Sequence, residues 1–248
     1  DFCDGRAQME AFARAAVRQG FTHYGFTPHS TLPIPSPCNM TRDNVPRFLA
    51  EVGRIRAEYG DRCRFYAGME IDYLGDEWGP SHPYFASLPL DYSIGSVHFI
   101  PAQDGGYIDI DGRFDSFQRK MKEHFHEDIR YVVETFFRQS HRMLDAGGFD
   151  IIGHLDKIGH NASHWKDGIE NEPWYKHLAD ELIDHVTASG VTVEINTKAK
   201  ADHNRIFPHE RHLQRLMEAG VPVIVNSDAH VPALINAERP YGLSLILS

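Results

Sequence analysis

The chain has 248 residues, 42% hydrophobic and 24% charged, with a mean hydropathy of -0.42, a make-up that points to a globular protein able to bury a sizeable core in one α/β barrel. Its formal charge of -10 argues against a broad surface for nucleic acid or anionic membrane, since both need positive potential. No apolar run reaches the roughly 18 residues of a membrane helix and no signal-like segment opens the chain, so a cytoplasmic location is expected; Cys3, Cys38 and Cys63 form no CxxC pair and read as free thiols.

Helical periodicity opens the chain in "RAQMEAFARAAVRQG" (6–20), where Met9, Phe12, Ala13, Ala16 and Val17 share a face and Gly20 supplies the stop. A strand, "THYGFT" (22–27), leads to "PHS", and a helix follows from Thr41 or Asn44 to about Tyr59 with Val45, Phe48, Leu49, Val52 and Ile55 inward. Then come "RFYAGMEIDYL" (64–74) and "DYSIGSVHFI" (91–100), both strands, and a polar Gly- and Asp-rich insertion (101–115). One long amphipathic segment, 115–146, precedes the strand "FDIIGHLD" (149–156); helix 173–189, strand "VTVEINT" (191–197), helix 209–219 and the strand that ends in "VPVIVNSDAH" complete the chain. The strand–helix alternation predicts a parallel sheet in a closed or nearly closed barrel, with residues 1–248 forming one domain.

Histidine is over-used, 16 residues against 25 Lys plus Arg, and its placement is informative. Each predicted strand carries a metal-capable group at or just past its C-terminal end: His29, Glu70, His98, His154 and the pair Asp228/His230. A barrel gathers those ends on one face, where parallel barrels place their chemistry. Imidazole and carboxylate together suit zinc, manganese or iron. Glu70 stands between Met69 and Ile71, where an unpaired acid would be costly to bury. His23, His82, His141, His164, His177, His185, His209 and His212 read as solvated surface residues, and His124 and His126, two apart on a predicted helix, face different ways.

The pieces "FCDG" (2–5), "GFTPHS" (25–30), "GMEIDY" (68–73), "GSVHF" (95–99), "GHLDKI" (153–158), "EINTK" (194–198) and "NSDAH" (226–230), in this order, resemble the polymerase and histidinol phosphatase (PHP) superfamily and, within it, its histidinol-phosphatases. The resemblance implies a distorted (β/α)7 barrel with two to three divalent ions (Zn, Mn or Fe) at its C-terminal face. Their ligands would be Asp4, His29, Glu70, His98, His154, Asp228 and His230, with Glu70 as a bridge. The family pattern places a His-x-His-Thr segment just before "FCDG", which these residues do not include, so the first strand is missing from the sequence at hand. A barrel lacking that strand would bare two strand edges, so the expectation is that the native protein supplies it ahead of Asp1.

The expected reaction is hydrolysis of L-histidinol phosphate by a water or hydroxide shared between two metals. Asp228 or the neighbouring His230 would protonate the leaving alkoxide. Lys157 and Lys198, just past strand ends, are the first candidates to bind the phosphate, with Arg205 next; Asp104, Asp109, Asp111 and Asp115 of the 103–115 stretch offer acceptors for the substrate's amine and imidazole, though a solvated acidic loop explains them equally well. The expected partner is a small phosphate ester and neither nucleic acid nor membrane. Alternatives are a PHP phosphoesterase for a different ester, or a PHP module that binds without catalysis.

Overall fold

The computed structural model describes residues 2–247. In chain order its elements are α1 (Met9–Arg18), β1 (His23–Phe26), α2 (Asn44–Tyr59), β2 (Arg64–Asp72), α3 (Pro83–Ala86), β3 (Tyr92–Ser96), β4 (Phe99–Pro101), β5 (Tyr107–Asp109), α4 (Phe114–His124), α5 (Ile129–Ala146), β6 (Ile151–Ile152), α6 (Ile158–Trp165), α7 (Pro173–Ser189), β7 (Thr192–Asn196), α8 (Lys200–His203), α9 (Leu213–Glu218), β8 (Val223–Asn226) and α10 (Arg239–Ser244). Local signals account for many boundaries. Proline at its first position opens α7 and Gly190, in the left-handed region at φ 75°, ends it. The Asp128 carboxylate caps α5 by accepting the Tyr131 N–H at 3.0 Å.

Six strands form one parallel sheet in the order β1-β2-β3-β6-β7-β8, curled into a distorted barrel with helices outside; β4 and β5 form a separate antiparallel ribbon. Alternation along β2 explains how the barrel packs. Phe65, Ala67, Met69 and Ile71 point outward into a core shared with Phe12 and Ala16 of α1 and Phe48, Val52 and Ile55 of α2. That parity sends Tyr66, Gly68, Glu70 and Asp72 inward. A second core unites α4, α5, α6 and α7, with Phe117, Met121, Phe136, Phe137, Leu182 and Val186 wholly or nearly wholly buried. Inside the barrel the Tyr92 ring lies over Gly68; a Cβ there would stand 2.6 Å from its Cζ, so only glycine fits.

β1 and β8 occupy the two ends of the sheet. A cavity of about 530 Å³ between them reaches into the barrel, lined by Tyr24 and Phe26 of β1, Ile224 and Val225 of β8, and Ile94 and Glu70 within. Among the described residues no helix is long and apolar enough to cross a membrane.

Three expected elements differ. The strand predicted over 91–100 breaks after Ser96, so His98 lies between β3 and β4, and β4 leads into the insertion as one arm of a ribbon. The long helix expected over 115–146 is two helices, broken where His126 and Glu127 take left-handed backbone at φ 47° and 61°. The strand over 149–156 shrinks to Ile151 and Ile152, and an unforeseen helix, α6, follows it.

Candidate metal centre

Strand alternation and strand ends place the polar residues in one cluster. Glu70, pointing inward from β2, accepts from Ser96 Oγ at 2.7 Å and has His154 Nε2 at 3.0 Å and His98 Nε2 at 3.5 Å. The two Nε2 atoms are 2.9 Å apart. On the other side of Glu70, His29 Nδ1 stands 3.4 Å from Oε2. His29 Nε2 faces Asp4 Oδ2 at 3.9 Å, and the same carboxylate oxygen lies 2.9 Å from His230 Nε2. Asp228 completes the arc, 3.5 Å from His230 Nδ1 and 3.2 Å from Lys198 Nζ. The structure therefore brings together all seven residues named from the sequence: Asp4, His29, Glu70, His98, His154, Asp228 and His230.

Two backbone features sharpen this arrangement. His154 and Asp228 both have positive φ, 21° and 46°, a region that non-glycine residues occupy at an energetic cost. Both sit where a strand turns sharply into its loop, and the bend aims each side chain back into the barrel mouth.

The donor set fits divalent transition-metal ions. Glu70 Oε1, His98 Nε2 and His154 Nε2 form one trio, and Asp4, His29 and His230 another, each with its ligand atoms within 4.8 Å of one another. Four ligands at zinc distances stand about 3.4 Å apart in a tetrahedron, close to the 2.9 to 3.5 Å edges of the first trio. The electrostatics also call for a cation. Burial opposes charge on His98, yet Asp72 and Glu70 outweigh it and raise its pKa to about 10. Burial likewise pushes Glu70 up, but His29, His98 and His154 hold it well below the carboxylate range. Asp4 is depressed in the same way by the His230 hydrogen bond and by His29, against its own burial. A site that draws protons onto imidazole to offset its acids is one a metal ion can satisfy instead.

Sequence reasoning missed the supporting residues. Asp72, two positions after Glu70 and on the same strand face, accepts from His98 Nδ1 at 2.6 Å and so turns Nε2 toward the cluster; Asn39 Nδ2 donates to the same carboxylate at 2.7 Å. Glu194 of β7 is buried, which raises its pKa; it accepts the His154 backbone N–H at 2.9 Å and an Asn226 amide N–H at 3.0 Å. Asn196 donates to Asp228 at 3.2 Å. Glu194 lies between Val193 and Ile195, the same buried-acid signal that marked Glu70.

The expected phosphate-binding cations part ways. Lys157 is half-buried and paired with Asp111 at 2.8 Å, and it faces Asp228 and Glu70 electrostatically. Lys198 lies 3.2 Å from Asp228 and 3.3 Å from His230. Arg205 instead binds Glu170 through both guanidinium arms, at 2.7 and 2.9 Å, and reaches Asp156 at 3.4 Å, with only 10% of its side chain exposed. In the insertion, Asp109 pairs with Lys120 at 2.8 Å, while Asp104 is exposed.

Removing one partner from such a buried pair costs about 3–5 kcal/mol, because the other charge is stranded. Burial pushes Glu170 up, but Arg205 and Ser163 bring its pKa below the ordinary 4.5. The folded state thus binds this proton less readily than the unfolded state. The pair's contribution is complete above pH 4.5 and is lost as pH falls through the depressed folded value. Urea unfolding of Glu170→Gln should show a flatter decline in stability below pH 4.5 than the parent protein; identical acid limbs would contradict this role for Glu170.

The chain belongs to the PHP family, whose PHP domain model matches residues 1–198. It is 26% identical over 227 residues to a "Probable histidinol-phosphatase" of Deinococcus radiodurans, covering 89% of this chain and 79% of that one. A solved structure from Listeria monocytogenes, assigned provisionally as a histidinol phosphatase, superposes with a TM-score of 0.85 at 17% identity, covering 97% of this chain and 96% of that one. The histidinol phosphate phosphatase of Lactococcus lactis, solved with zinc, L-histidinol and phosphate, gives a TM-score of 0.72 at 18% identity over 99% of this chain and 89% of its own. These likenesses identify the observed sheet as the expected distorted (β/α)7 barrel.

Proposed function

We propose that the chain is a metal-dependent phosphomonoesterase that hydrolyses L-histidinol phosphate to L-histidinol and phosphate. The observation that supports this most is the gathering of Asp4, His29, Glu70, His98, His154, Asp228 and His230 from distant parts of the sequence at one barrel mouth. The substrate is inferred from relatives named for histidinol phosphate hydrolysis. In this reading those seven residues hold two to three divalent ions, zinc, manganese or iron. Bound there, the ions would acidify a water for attack on phosphorus and offset charge on the phosphoryl oxygens.

The chain's own groups complete the reading. Lys157 and Lys198 supply positive charge for the phosphate against an acidic protein, and Asp111 holds the Lys157 ammonium in place. Arg205 acts at one remove, by locking Asp156 and Glu170 behind the loop that carries Lys157. For the proton needed by the leaving alkoxide we assign the Asp228/His230 pair, in which His230 Nδ1 stands 3.5 Å from Asp228; the hydrogen bond with Asp4 raises the His230 pKa. A small-molecule substrate and the lack of a membrane-spanning helix among the described residues fit a cytoplasmic enzyme.

Full-length native protein, stripped of metal and reconstituted with zinc or manganese, should release inorganic phosphate from histidinol phosphate, and a chelator should suppress turnover. Turnover of another monoester with none of histidinol phosphate would retain the chemistry and discard the substrate. No phosphate from any ester in a panel, despite bound metal, would sink the catalytic reading in favour of a binding module.

A further inference from the structure

Three histidines outside the candidate centre meet between α6 and α8. His160 and His164 are four residues apart on α6 and therefore on one face; His203 ends α8, in the loop that follows β7. One ring nitrogen from each lies within 4.8 Å of the others, and the ring centres are 4.6 Å (His160–His164), 4.5 Å (His160–His203) and 6.1 Å (His164–His203) apart. His164 was expected to be an ordinary surface residue, and periodicity had not placed α6 at all.

Hydrogen bonding fixes the chemical form of one ring. His164 Nδ1 lies 2.7 Å from the His160 carbonyl oxygen, which can only accept, so Nδ1 donates and Nε2 is the nitrogen left to face a ligand. A ligating imidazole is commonly oriented in this way, its second nitrogen donating to a backbone carbonyl. His160 is partly buried between His164, His203 and Phe207. The cluster includes no carboxylate, so it suits an imidazole-seeking ion and not magnesium or calcium.

We propose that His160, His164 and His203 form a second, separate site for a divalent transition-metal ion, zinc first among them, which ties α6, after β6, to α8, after β7. Three protein ligands leave a fourth position to water. The tie joins two segments that matter to the mouth, because Lys157 precedes His160 by three residues and Arg205 follows His203 by two. It shares no residue with the candidate centre, so its existence does not depend on the catalytic reading.

Metal-stripped protein is dialysed against micromolar zinc, and the zinc retained per chain is counted by mass spectrometry for the parent, for His164→Asn/His203→Asn and for Glu70→Gln. The double variant should hold one zinc fewer than the parent, with a smaller zinc-induced rise in Tm. Glu70→Gln, which damages the other centre, should retain the zinc that the double variant loses. Equal zinc content in the parent and the double variant overturns the proposal. If the double variant proves unstable by circular dichroism, His203→Asn alone decides the matter in the same way, since His203 is exposed at the end of a four-residue helix.

Discussion

Glu70→Gln should lower kcat for histidinol phosphate by about a thousandfold while the protein remains folded, because charge stabilisation by bound metal amounts to several kcal/mol and each 1.36 kcal/mol is a factor of ten. Glu70 is the acid around which His29, His98 and His154 are arranged, at 3.4, 3.5 and 3.0 Å. The amide retains the volume and an acceptor for Ser96 but removes the negative charge that draws cations to both trios. Steady-state kinetics with zinc in excess would check the effect, with circular dichroism as the control for folding. A folded Glu70→Gln protein with near-parental kcat would remove Glu70 from the metal-dependent chemistry.

Asp72→Asn should weaken zinc retention by about 10- to 100-fold, the usual cost of losing the carboxylate behind a ligating histidine. Asp72 lies within 4.8 Å of a ring nitrogen of His29 as well as beside His98, and its 2.6 Å hydrogen bond to His98 fixes which nitrogen of that ring donates and so leaves Nε2 facing Glu70 and His154. Asparagine can still accept from Nδ1, but it no longer increases the ring's basicity through its charge. Competition with a chromogenic chelator gives the affinity directly. Unchanged affinity would mean that His98 does not ligate, or that the residue at position 72, held by Asn39 and Ser30, orients it sufficiently without the charge.

Much of this site was legible because strand ends are. Glu70 interrupts an apolar strand, and His29, His98 and His154 each follow one, so convergence followed from the barrel alone. Asp72 and Glu194 were legible by the same rules, one at the i+2 position of an inward face and the other an acid flanked by Val193 and Ile195, but neither follows a strand as the ligand histidines do. The bend at His126–Glu127 had no glycine or proline to announce it, so one amphipathic pattern ran through what are two helices. Helix α6 contains Gly159, Asn161 and Ser163, weak helix formers whose placement tertiary packing decides. Arg205 looked like a loop cation free for phosphate, whereas its engagement with Glu170 joins residues 35 positions apart, which no local pattern reveals.

The central claim is that this barrel mouth is a cage for divalent cations. Anomalous diffraction at the zinc edge, from crystals of the native full-length protein grown with zinc, tests it most directly. The account predicts strong peaks in contact with Glu70, His98 and His154 and with Asp4, His29 and His230. Well-ordered crystals with zinc bound elsewhere and none among those six side chains would contradict it.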